Sequence, residues 1–182
     1  MKSSIAAAAP EIHRRTPLFR CPLPEDGAAV HRLIADCPPL DQNSRYCNLL
    51  QCSHFSDTSI IAEIGPEIVA FISGYILPNN ENTLFVWQVA VADAARRQNI
   101  ATQMLLKLLL RPVCRNVRYL ETTITEENIA SKTLFTKLAE LLGVPLTTTP
   151  LFTRDIHFDG KHADEILFNI GPINTSLLSI TT

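Results

Sequence analysis

Thr83-Leu84-Phe85-Val86-Trp87-Gln88-Val89-Ala90-Val91 leads through Ala92-Asp93-Ala94-Ala95-Arg96-Arg97-Gln98-Asn99 into Ile100-Ala101-Thr102-Gln103-Met104-Leu105-Leu106-Lys107-Leu108-Leu109. The first run is rich in β-branched and aromatic residues and is predicted as a strand. The last carries Ala101, Met104, Leu105, Leu108 and Leu109 at i, i+3, i+4, i+7 and i+8, the spacing of an amphipathic helix, and Pro112 ends it. Downstream, Arg118 to Thr125 reads as a strand and Asn128 to Leu142 as a helix closed by Gly143. That strand–helix–strand step predicts a parallel crossover. Upstream, Ser59 to Ile64 and Ile68 to Leu77 are strand-like runs separated by Gly65-Pro66-Glu67, with Pro78 to Asn82 as the next turn, so the three runs predict an antiparallel meander.

A helix precedes them, with Val30, Leu33, Ile34 and Cys37 on one face, Glu25 and Asp26 in its first turn, and Pro38-Pro39 as its stop. Ser44 is placed to cap a second short helix. Leu151 to Phe158 and Glu165 to Ile170 are expected as two further extended segments. The whole is an α/β chain, a mixed α/β sandwich. We expect a mobile leader over residues 1–17, one domain over 18–173 and a loose tail over 174–182.

Composition limits the function. One domain suits 182 residues, and 16 Lys+Arg against 18 Asp+Glu leave a net charge of −2, which argues against nucleic-acid binding through bulk positive charge. No apolar run approaches the ~18 residues of a membrane span, and none near the N-terminus suits a signal peptide. Cys21, Cys37, Cys47, Cys52 and Cys114 fit no zinc spacing. Cys47, Cys52 and His54 lie close in sequence, but small thiols in a reducing cytosol are the plainer reading, so no metal and a cytoplasmic location are expected. The six glycines are about half the usual share of ~7%, and none lies between Gly74 and Gly143.

That gap matters because a polar loop between a strand and a helix is a ready anion site, with free amides and the dipole pointing outward. No Gly-Lys-Ser/Thr occurs, which excludes a Walker loop, and the missing glycines exclude a dinucleotide fingerprint. The loop alone also fits a solvated arginine pair opening an ordinary core helix. Arg96-Arg97-Gln98-Asn99-Ile100-Ala101 resembles the Gln/Arg-x-x-Gly-x-Gly/Ala pyrophosphate loop of the Gcn5-related N-acetyltransferases (GNAT), with Asn99 where that family has glycine. Asparagine tolerates positive φ better than most residues. Val89-Ala90-Val91 resembles the family's pantetheine-pairing strand, and Asn128-Ile129-Ala130-Ser131-Lys132-Thr133-Leu134-Phe135 its Asn-x-x-Ala-x-x-Leu-Tyr helix, with Phe135 in place of a frequent general acid. The resemblance implies a mostly antiparallel mixed sheet flanked by helices, with acetyl-CoA as co-substrate. It assigns Val89, Ala90, Val91, Arg96 to Ala101 (Arg97, Gln98, Asn99 and Ile100 between them) and Asn128 to its binding.

Longer blocks resemble the L-2,4-diaminobutyrate acetyltransferases of ectoine biosynthesis. They are Cys37-Pro38-Pro39-Leu40-Asp41 through Asn43-Ser44, Tyr46-Cys47-Asn48-Leu49-Leu50-Gln51-Cys52 and His54-Phe55; Leu84 to Val91; and Arg118 to Thr125. This resemblance, from about Pro22 to Ile173, implies direct transfer of acetyl from acetyl-CoA to the γ-amine of L-2,4-diaminobutyrate, in a homodimer.

Such an acceptor carries two ammonium groups, and the reacting one must lose a proton, so carboxylates and a base are required. Glu121 lies inside an otherwise apolar strand, a costly place for a carboxylate, and is the candidate base; alternation leaves open whether it faces water instead. Tyr46 is the candidate for orienting substrate or protonating the leaving thiolate. Asp41, Asn43 and Trp87 are candidate substrate contacts, with His157 as a further relay residue. Trp87, expected on one face with Phe85, Val89 and Val91, also fits plain core packing. A different diamine or amino-acid acceptor, or a non-catalytic acyl-CoA-binding domain, remain the alternatives.

Overall fold

The computed structural model describes residues 16–175 and 178. The leader expected over 1–17 and the tail over 174–182 therefore lie outside the described residues, apart from 16–17, 174–175 and 178. A seven-stranded sheet in the order β1-β2-β3-β4-β5-β7-β6 runs through the molecule. Its strands are β1 (Leu18–Arg20), β2 (Ile60–Ile64), β3 (Glu67–Leu77), β4 (Asn80–Val91), β5 (Tyr119–Ile124), β6 (Leu146–Phe152) and β7 (Glu165–Ile170). The meander expected over β2, β3 and β4 is antiparallel, and β4 to β5 is the parallel step.

Two apolar layers cover the sheet because its strands alternate. Helices α1 (Gly27–Ala35) and α2 (Arg45–Ser53) lie on one face, where Val30, Leu33, Ile34 and Cys52 meet Ile61, Phe71 and Ala90. On the other, α3 (Ile100–Leu109) and α4 (Ile129–Leu142) bring Met104, Leu105, Leu108, Phe135 and Leu138 against Ile60, Ile72, Leu84, Val86 and Leu120. Ser44 caps α2 as expected, accepting from the Cys47 N–H, and Gly143 closes α4 in the left-handed region at φ 64°.

The structure departs from the sequence expectations at three points. The segment expected over Leu151 to Phe158 is instead strand β6 followed by one helical turn, α5 (Arg154–His157). The threonine run Thr147-Thr148-Thr149 extends pairing with β7, while the Arg154 N–H donates to Asp164 at 2.6 Å and fixes the turn. β1 is too short for periodicity to reveal, yet it pairs with β2 at the sheet edge. The third change sits in β4. Ser73 opposes Gln88 and Gly74 opposes Val86, so Trp87 is an extra residue in a β-bulge. Phe85 and Trp87 thus share a face, but Val89 and Val91 turn to the opposite one, toward α3 and α4. Gly74 permits the bulge: a Cβ there would lie 2.7 Å from the Phe85 carbonyl oxygen.

Arg20 fastens β1 to the start of α1, with two hydrogen bonds to Asp26 and two to Glu63. The Arg20 guanidinium, aided by the Leu23 N–H, holds the Asp26 carboxyl below its usual range despite partial burial. A carboxyl depressed below its unfolded value of about 3.9 contributes stability that is complete above that pH and is lost as pH falls through the native value. Arg20→Met should therefore reduce the drop in urea midpoint between about pH 6 and about pH 3; an unaltered drop would remove this pair from acid stability.

Candidate active site

β4 and β5 pair only over Thr83–Phe85 with Tyr119–Glu121, and no described β5 residue pairs with β4 beyond Phe85. The strands part where the sequence reading places the cofactor arm, and a cleft of about 820 Å³ opens there. Val89 and Val91 line it from β4, Arg96, Arg97 and Asn99 to Thr102 from the loop and first turn of α3, and Asn128 to Ser131 with Thr133, Leu134 and Lys137 from α4. Cys37 to Leu40 close its near side. Ala90 belongs to the loop-bearing strand, but its side chain is buried on the α1 face, so it offers the cleft only backbone.

The loop reaches its shape without glycine. Arg97 and Asn99 take φ of 63° and 59°, and Asn99 stands in the left-handed region at the N-cap of α3. Its side chain makes no capping bond, so the first-turn amides of Ile100, Ala101 and Thr102 are left without a side-chain acceptor. The starts of α2 and α4 differ, since Ser44 caps α2 and Asn128 caps α4 by accepting from the Ser131 N–H, whereas α1, like α3, has no side-chain cap. Asn128 spends its carbonyl oxygen on that cap, and its amide N–H groups remain for a ligand. The loop is braced from within: Arg96 pairs with Asp93 at 2.6 Å and donates to the Val91 carbonyl, and Gln98 donates to Ala94. Of the two arginines expected to serve an anion, Arg96 is thus engaged in holding the loop. Lys137 was not singled out from sequence; it shares a helical face with Ile129 and Thr133 at spacing four, which is the signal that could have found it.

On the opposite sheet face, the bulge turns Trp87 toward solvent, 44% exposed, which rules out its reading as plain core. Tyr75 meets it edge-on at 6.4 Å and lies 5.3 Å from Phe85 and 6.3 Å from Phe55, so four aromatic rings form one wall. Glu121 is in register with Phe85 on one side and Asn169 on the other, half-buried, and Oε1 accepts from Asn169 Nδ2 at 2.8 Å. Burial, and then the charge of Glu121, push the Tyr75 phenol up. Tyr75 and Asn169 escaped the sequence reading because only strand register brings Asn169 to Glu121 and Tyr75 to Phe85 beside it.

The segment between α1 and α2 forms the other side. Asn43 Nδ2 donates to Gln88 Oε1 at 3.0 Å, and Gln88 Nε2 donates to the Asp41 carbonyl at 2.7 Å, so Asn43 meets β4 rather than the Asp41 carboxylate. The Asp41 carboxylate is exposed and lies 3.8 Å from His162 Nε2. Tyr46, 69% exposed, stands on the first turn of α2. His157 is occupied within its own turn: Nδ1 accepts from the Thr153 N–H, and the ring packs edge-on against Phe152. The histidine brought to Asp41 is His162. Among the described residues no group of three His, Cys, Asp or Glu side chains is arranged to hold a metal, and all five cysteines are free.

A parted β4–β5 pair beside an uncapped helix start is the arrangement the resemblance to acyl-CoA-dependent acyltransferases implies, and the comparisons establish that class. Residues 27–139 match the sequence model of the Acetyltransferase (GNAT) family. The chain is 52% identical to the L-2,4-diaminobutyric acid acetyltransferase of Methylotuvimicrobium alcaliphilum over 83% of its length and 88% of that protein's. It is 43% identical to the enzyme of the same name from Halomonas elongata, over 90% and 85%. Among solved structures it resembles diaminobutyrate acetyltransferase EctA from Paenibacillus lautus, in complex with its substrate L-2,4-diaminobutyric acid and coenzyme A. The TM-score is 0.84 at 45% identity, covering 87% of this chain and 96% of that one. The chain belongs to the GNAT family, and within it to the L-2,4-diaminobutyric acid acetyltransferases.

Proposed function

We propose that this chain transfers the acetyl group of acetyl-CoA to the γ-amine of L-2,4-diaminobutyrate, giving the N4-acetyl product that a separate cyclising enzyme converts to ectoine. The observation that carries this reading is the half-buried Glu121 set against the Trp87, Tyr75 and Phe85 wall beside the β4–β5 cleft, in a chain 45% identical to one solved with that diamine and coenzyme A. The apolar wall suits the acceptor's methylenes, and Trp87 offers a ring face to an ammonium. Asp41 and Glu121 supply the negative charge for the two cations, with Asn43 and Tyr46 bordering the acceptor.

An alkylammonium of pKa ~10.4 requires ~4 kcal/mol to be neutral at pH 7.4. Glu121, directly or through a water, takes that proton. The freed nitrogen lone pair forms the C–N bond at the thioester carbon, a β4 backbone N–H near Val89 steadies the carbonyl oxygen, and the C–S bond breaks. The departing thiolate takes a proton from a phenol, and the second proton, lost by the acylated nitrogen as the amide forms, restores that phenol. Tyr46, on the first turn of α2, and Tyr75, in the aromatic wall beside Trp87 and Phe85, are the two phenols that border the acceptor. Amides at the start of α3 with Arg97 receive the pyrophosphate, while Asn128 and the Val89–Val91 backbone receive the pantetheine arm. Residues 18–173 act as one catalytic domain. We place it in the cytoplasm as a homodimer with no nucleic-acid or membrane partner, a reading that rests on the near-zero net charge and on the exposed apolar residues Leu151, Phe152 and Ile156.

Coenzyme A release from acetyl-CoA and L-2,4-diaminobutyrate, with the acetylated nitrogen identified by NMR, tests the reading. Release with acetyl on the γ-nitrogen is expected. Tight acetyl-CoA binding without release for any diamine would overturn it in favour of a binding domain, and preference for ornithine would change the acceptor.

A further inference from the structure

The β4 bulge has an effect on the residue after Trp87. Leu84 and Val86 point into the α3–α4 core, so unbroken alternation would send Gln88 there too, burying an amide among apolar side chains. The extra residue instead turns Gln88 to the α1–α2 face, where it is 6% exposed and where both ends of its amide are used. Its oxygen accepts from Asn43 and its nitrogen donates to the Asp41 carbonyl. An amide is suited to this because it presents one acceptor and a donor side by side; a carboxylate has no donor and an aliphatic chain has neither.

Residues 41–43 lie in neither helix nor strand, between Pro38-Pro39 and the Ser44 cap. Both hydrogen bonds that fasten them to the sheet end on this one side chain. The Asp41–His162 approach at 3.8 Å involves an exposed carboxylate and adds little. We propose that Gln88 is a positioning residue, which holds the 41–43 segment in place as a wall of the acceptor site and sets acceptor affinity without touching the acceptor. The inference rests on the acceptor site described above.

Gln88→Met keeps the length of the side chain and removes both hydrogen bonds. Backbone amide exchange at 41–44 should quicken, and KM for L-2,4-diaminobutyrate should rise about tenfold, with kcat and the KM for acetyl-CoA little changed. Asn43→Ala, which removes one of the two bonds and leaves the core untouched, should quicken amide exchange at 41–44 less than Gln88→Met does and add little to it in the Gln88→Met background, because coupled residues are not additive. Wild-type exchange and wild-type acceptor KM in a folded Gln88→Met protein would overturn the proposal. So would a parallel rise in both KM values, which marks general damage. A wild-type chain that releases no coenzyme A with this diamine would sink the functional reading, while the exchange rates at 41–44 would still decide the clamp.

Discussion

Glu121→Gln is expected to lower kcat by about 10²–10⁴-fold, the usual contribution of a general base, while the Kd for acetyl-CoA stays at the wild-type value. The glutamine keeps the size of the side chain and an oxygen for the Asn169 amide, so the Glu121–Asn169 link and the strand register survive. What is lost is the ability to accept a proton from an ammonium. The effect should be smaller at high pH, where more of the diamine arrives already neutral, and the kcat/KM profile of the variant should climb toward the amine's own pKa. Full turnover at pH 7.5 would remove Glu121 from the base role. Raised acetyl-CoA Kd would instead indicate that the substitution had disturbed the cleft.

Asn99→Val should weaken acetyl-CoA binding at least about tenfold. A residue other than glycine or asparagine in the left-handed region costs roughly 1–2 kcal/mol, and a β-branched one is poorly suited to it, so the loop either keeps its shape at that cost or relaxes and withdraws the Ile100 to Thr102 amides from the anion. Asn99→Gly should bind close to the wild-type value, as glycine takes the same φ freely. Titration calorimetry with acetyl-CoA separates the two. A valine variant that binds like the wild type would show that the shape of this loop does not govern cofactor affinity.

The sequence revealed the cofactor side of the molecule better than the acceptor side, and the reason is physical. A strand, a polar loop and a helix are consecutive, so their order and the positive φ at Asn99 follow from local pattern and glycine count. The acceptor side is assembled from residues far apart in the chain. Glu121 meets Asn169 because β7 lies between β5 and β6, and Tyr75 packs on Phe85, the β4 residue in register with Glu121, which no periodicity discloses. The β4 bulge hid a further fact. Alternation put Trp87 with Val89 and Val91, whereas one inserted residue moved the valines to the cofactor face and left Trp87 with Phe85. Phe135, noted for lacking a hydroxyl, is a packing residue, 1% exposed among the α3 and α4 side chains. His157, named from sequence as a relay residue, is tied to Thr153 within its own turn, and His162, five residues on, is the histidine that approaches the Asp41 carboxylate.

The left-handed bends at Arg97 and Asn99 have a consequence for entropy. Glycine at such positions would enlarge the unfolded and unliganded ensembles, and that freedom would have to be surrendered each time the loop ordered around a phosphate. Arginine and asparagine exchange this for a small standing strain in the folded chain. The cradle is therefore preorganised, so less of the cofactor's binding energy goes into ordering the backbone that receives it.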